Sequence, residues 1–80
     1  MSDRNQNETE GTMRTRELKV SDIRRGAKII DRERPEVGVW IVQDQYDEGI
    51  WEIRSFEANG SRRGDTTLME GNARFYDLVL

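Results

Sequence analysis

The run from Val37 to Met69 constrains the fold more than any other part of the chain. Apolar, aromatic and β-branched residues recur there in three stretches separated by turn signals: Val37-Gly38-Val39-Trp40-Ile41-Val42, Ile50-Trp51-Glu52-Ile53-Arg54-Ser55-Phe56 and Arg63-Gly64-Asp65-Thr66-Thr67-Leu68-Met69. Asp47-Glu48-Gly49 occupies the first gap and Asn59-Gly60 the second. Such residues, bounded by Gly, Asn and Asp, form strands and hairpins. A three-stranded antiparallel meander is the expected centre of the fold.

The same residues leave the pairing of the first hairpin open. Val37, Val39 and Ile41 alternate with Trp40 and Val42, so both faces of that strand are apolar, and one needs a cover besides the core. A three-residue loop with Gly49 in the left-handed conformation sets Val42 against Arg54 and Trp40 against Phe56. A two-residue loop sets Val42 against Ile53 and Trp40 against Ser55. The slip exchanges the two faces, and with them the identity of the buried tryptophan.

The flanks are shorter and more polar. Residues 1–16 carry only Met1 and Met13 as apolar side chains, too few to offset the entropy of ordering, and read as a disordered tail. Deleting residues 1–15 is therefore expected to leave folding unchanged. The folding unit is expected over 17–80, as one small domain. Leu18, Val20 and Ile23 precede Gly26, either as a helical turn capped by Ser21 or Asp22 or as an extended lead-in turning at Arg25-Gly26. Ala27–Asp31 reads as a short strand, and the charged run to Arg34 before Pro35 as a solvated loop. Glu70-Gly71-Asn72 ends the third meander strand. Ala73–Leu80 reads as a short helical turn leading into a closing strand.

Composition removes whole classes of chemistry. The chain has no Cys and no His, which excludes disulfides, thiol chemistry, imidazole catalysis and the usual zinc sites. No apolar run exceeds four residues, so no membrane span or signal-peptide core is expected, and the reading is cytoplasmic. The net charge is −3, and a mildly acidic domain lacks the broad positive field that draws proteins to nucleic acid. Asp44, Asp47, Glu48 and Glu52 have spacings foreign to a calcium loop and read as a solvated hairpin tip. Gly60-Ser61-Arg62-Arg63-Gly64 lacks the lysine and the helix of a phosphate-binding loop. No catalytic residue, metal or cofactor is expected.

Five short strands in about 60 residues close most economically as a small antiparallel barrel or strongly bent sheet, which hides strand edges. In layout, Asp22-Ile23-Arg24-Arg25-Gly26-Ala27-Lys28-Ile29, a hairpin at Gly49, a polar strand and the ending Phe75-Tyr76-Asp77-Leu78-Val79 resemble small SH3-like barrel proteins of prokaryotes and their viruses. That resemblance implies a fold and, by origin, a viral or mobile-element accessory protein. It carries no activity.

What remains is an aromatic and basic set: Trp40, Trp51, Arg54, Arg62 and Arg63. It supports two functional expectations. One is a non-enzymatic protein-interaction module, binding another protein or itself as a homodimer through the face carrying Trp40 or Trp51. The other is a small barrel that binds single-stranded nucleic acid by stacking and arginine contacts. The location of nearby carboxylates discriminates them, because Asp44, Glu52 or Glu57 beside those arginines would cancel their field.

Overall fold

A computed structural model of the chain describes residues 14–80, and the tail reading of residues 1–13 lies outside them. Six strands form one antiparallel sheet: β1 Thr15–Glu17, β2 Lys28–Asp31, β3 Val39–Asp47, β4 Ile50–Phe56, β5 Arg62–Met69 and β6 Tyr76–Val79. Their spatial order is β1-β6-β2-β3-β4-β5. The mainly-β expectation holds, and of its two forms the sheet is unclosed, with β1 and β5 as its edges. It is nonetheless bent. Tyr76 on β6 and Thr66 on β5 are separated by three intervening strands, yet they line the same cleft. Among the described residues helical structure is confined to 3₁₀ turns at Val20–Asp22, Pro35–Val37 and Glu70–Phe75. None of the described helices is long and apolar enough to cross a membrane.

The meander forms as the turn chemistry dictates, but the first hairpin combines the two readings. Gly49 takes a φ of 71°, which is left-handed and natural for glycine. Asp47 pairs with Ile50, whereas further along Val42 pairs with Ile53 and Trp40 with Ser55. Two register shifts, between Asp47 and Gln45 and between Gln45 and Val42, separate these pairings. Extra residues on one strand are β-bulges, and here they rotate β3 so that Trp40 and Val42 share the core face. In the second hairpin Glu57 N–H donates to Ser61 O at 2.8 Å, leaving Ala58-Asn59-Gly60 as the loop.

Two boundaries move from the sequence reading. The first meander strand starts at Val39, because Pro35 opens a 3₁₀ turn and Gly38, at φ 89°, ends it. A side chain at Gly38 would be strained in that conformation. The folded region also starts earlier than residue 17. Thr15, Arg16 and Glu17 pair with Val79, Leu78 and Asp77, so a deletion through residue 15 removes part of an edge strand. At the lead-in both alternatives occur in part: a 3₁₀ turn at Val20–Asp22 and then a turn into Gly26. Asp22 lies inside that turn rather than ahead of it, and its carboxylate accepts Lys19 N–H at 2.9 Å. The C-terminal expectation of a helical turn and then a strand is met by Glu70–Phe75 and β6.

Bending wraps the inner face around one small core of Leu18, Ile23, Ile29, Val42, Ile53, Leu68 and Ala73. Trp40, Trp51, Tyr76, Leu78 and Ala27 pack against it, half-buried. β1 is pinned beside this core by a bidentate ion pair, with Arg16 Nη1 and Nη2 lying 2.8 and 2.9 Å from the Asp22 carboxylate oxygens.

These Arg16 hydrogen bonds, aided by Lys19 N–H, hold the Asp22 carboxyl at about 2, down from 3.8. Because the folded value is depressed, the contribution of Asp22 to stability is present above its unfolded pKa and is lost as pH falls through about 2. Chemical denaturation across this acid range should show wild type losing stability more steeply than Asp22→Asn. Equal slopes would mean that the ion pair does not hold β1.

Candidate functional site

Bending gives the inner face a mouth at the end where β2 and β6 approach β5. Asp31 pairs with Tyr76 across β2 and β6. Ile29, one alternation further in, pairs with both Leu78 and Trp40. Trp40 therefore projects toward the core beside Ile29, and one side of it remains at the mouth. Together with Asp31, Arg34, Val37, Thr66 and Tyr76 it lines a cleft of about 270 Å³. Among the described residues its indole N–H has no hydrogen-bond partner. A second recess of about 370 Å³ shares Asp31 and Tyr76 with this cleft and is otherwise lined by Glu33, Asn72 and Phe75.

The loop Asp31–Arg34 is shaped locally. Asp31 Oδ1 accepts Glu33 N–H at 2.8 Å, and Arg34 N–H donates to Asp31 O at 3.1 Å. A short polar side chain bonding its own backbone two residues on is a standard turn device. The charged run thus becomes one rim of an aromatic cleft. Burial raises the Tyr76 phenol above 10.0, and the charges of Asp31 and Glu33 raise it further. The hydroxyl therefore stays protonated at neutral pH and is available as a donor.

The five residues singled out by sequence do not form one site. Trp40 and Trp51 share the inner face but point to different ends. The Trp51 indole N–H donates to Glu70 Oε2 at 3.1 Å, which ties β4 to the last 3₁₀ turn. Arg54 lies on the outer face, with Nε 2.8 Å from Asp65 and Nη2 3.6 Å from Glu52. Arg62 bonds the other Asp65 oxygen at 2.9 Å. Arg63 meets Glu57 at 3.4 Å and donates to Val37 O. Asp44 pairs with Arg25 instead. Asp65, which sequence reasoning did not weigh, is the principal neutraliser, facing Arg54 directly across β4 and β5.

Tyr76 was also missed as a site residue. Its signal was present in Phe75-Tyr76, but only the position of β6 between β1 and β2 brings it to Trp40. Elsewhere on the outer face, Val37, Val39, Ile41, Phe56 and Val79 line an open apolar groove with Lys28 and Arg63 at its rim. Val39 and Ile41 are thus the apolar pair that β3 leaves partly exposed. Among the described residues no three carboxylates gather as a metal-holding group. No family model matches this chain, and no curated protein or solved structure proves significantly similar to it.

Ser55, paired with Trp40 on one side and Gly64 on the other, is 1% exposed, and its hydroxyl has no hydrogen-bond partner among the described residues. A buried unpaired hydroxyl costs stability, about 1–3 kcal/mol. Replacing Ser55 with Ala should leave the fold intact and raise its stability by about 1 kcal/mol in denaturant unfolding. A loss of stability would show that the hydroxyl is bonded in solution.

Proposed function

We propose that the chain is a non-enzymatic protein-interaction module that takes a segment of a partner protein into the cleft between Trp40 and Tyr76. The supporting observation is the half-buried Trp40 in a concave mouth with a polar rim, its indole N–H without a hydrogen-bond partner among the described residues. Binding sites combine apolar aromatic area with a few placed polar groups, and tryptophan and tyrosine are favoured anchors. Asp31, Arg34, Thr66 and the Tyr76 hydroxyl offer acceptors and donors around that aromatic floor.

Charge argues against the nucleic-acid alternative. Arg54, Arg62 and Arg63 all face carboxylates, those of Asp65, Glu52 and Glu57. Such pairs leave little net positive charge to displace counterions from a phosphate backbone. Self-association has its own support in the outer groove of Val39, Ile41 and Phe56, since large open apolar patches are rare on monomers. Sedimentation velocity over a concentration series distinguishes a homodimer from a monomer that presents the cleft to another protein.

Selection of peptides from a random display library tests the main reading. A selected peptide should bind wild type and lose at least about tenfold in affinity to Thr66→Arg, roughly 1.4 kcal/mol. Thr66 is exposed, so this change fills the mouth without touching the core. An oligothymidine strand should leave tryptophan emission unchanged even at low salt. Peptides that ignore Thr66→Arg, or an oligonucleotide that quenches emission in a salt-dependent way, would contradict the proposal.

A further inference from the structure

The Trp40 cleft shares Asp31 and Tyr76 with a neighbouring recess of different chemistry, and resting on the reading above, we propose that this recess takes a cationic side chain, lysine or arginine, of the partner protein. Its lining is two carboxylates, Asp31 and Glu33, two aromatic rings, Phe75 and Tyr76, and the amide of Asn72. None of these five carries positive charge. Ion pairs among the described residues occupy Asp22, Asp44, Glu52, Glu57, Asp65 and Asp77, none of which lines the recess. Asp31 and Glu33 belong to the carboxylates left without an ion-pair partner among the described residues, and they are the ones set beside two aromatic rings in a recess.

The aromatic component is independent of that charge. An aromatic face attracts a cation through its quadrupole, and carboxylates beside it add direct attraction. Phe75 already shows this within the chain, with the Arg74 guanidinium 4.5 Å from its ring centre. Arg74 also donates to Gly71 O at 3.0 Å and does not line the recess. Phe75 is 39% exposed, so part of its ring is open to a ligand. Arg34 belongs to the Trp40 end, where it discourages a second cation and leaves Asp31 and Glu33 to fix the position of the first. Residues flanking the cation in the partner would then lie against Trp40, Val37 and Thr66.

The test uses four peptides on the isotopically labelled 80-residue chain: acetyl-Val-Arg-Val-amide and its lysine, citrulline and glutamate counterparts. Backbone amide shifts report the location and the affinity of binding. The arginine or lysine peptide should move the amides of Asp31, Glu33, Phe75 and Tyr76 and bind about tenfold more tightly than citrulline, the neutral isostere. The stronger of the two identifies guanidinium or ammonium as the preferred cation. Asp31→Asn, which keeps the acceptor for Glu33 N–H, combined with Glu33→Gln should remove that advantage. The comparison with citrulline stands on wild type alone, so it decides the matter even if the double variant folds poorly. Citrulline or glutamate binding as well as arginine at the same amides would overturn the cationic preference while keeping the cleft as a peptide site. No movement of cleft or recess amides with any peptide would overturn both.

Discussion

The register between β3 and β4 is the constraint on which the rest of this structure depends. From Asp47 to Val42 the chain takes more residues on β3 than β4 uses opposite it, and the two bulges absorb the difference. Bulges of this kind bend a strand and increase its twist. The consequence is not local. It sends Trp40 and Val42 inward with Ile53 and Leu68, turns Val39 and Ile41 outward, and lets the sheet curl until β5 approaches β6.

Curling without closure serves the fold and the cleft together. A core of this size needs every large side chain the inner face can supply, because small domains bury a limited fraction of their surface. Leu18 and Ala73 enter that core from outside the strands, and Trp51 is fastened over one end through Glu70. At the other end no equivalent cover is placed over Trp40 among the described residues, and the mouth there is lined by Asp31, Arg34, Thr66 and Tyr76. The long edge of β5 is blunted by Arg62, Arg63 and Asp65, charges of the sort that discourage edge-to-edge pairing. Those arginines therefore read best as structural surface, held by Asp65 and Glu57.

Much of the fold was legible in the sequence, and the gaps have physical causes. The strands and turns were visible because Gly49, Asn59-Gly60 and the Val/Ile/Trp alternation act locally. The helical turn ahead of β6 was expected from Ala73 onward and begins earlier, at Glu70, while Leu78 and Val79 belong to the strand. The strand start at Val39 was missed because Val37 continues the apolar alternation while Pro35 and Gly38 impose a turn. β1 was missed because Thr15, Arg16 and Glu17 have no apolar signal and owe their place to β6 and to the Arg16–Asp22 pair. For the site, Trp40 was identified but its neighbours were not. Tyr76, Asp31 and Thr66 lie far apart in sequence, and only the order β6-β2-β3-β4-β5 with its curl assembles them. Both candidate pairings of the first hairpin were available from sequence, but residues 43–47 give no signal for the bulges that decide between them.

Proton–proton cross-relaxation across the β3–β4 hairpin tests the central claim most directly. The expected result is backbone contact between Trp40 and Ser55 and between Val42 and Ile53, with Trp40 ring protons close to Ile29 and Tyr76. Contacts pairing Trp40 with Phe56 and Val42 with Arg54 would contradict it. That register puts Trp40 on the outer face and removes the cleft from which the functional reading is drawn.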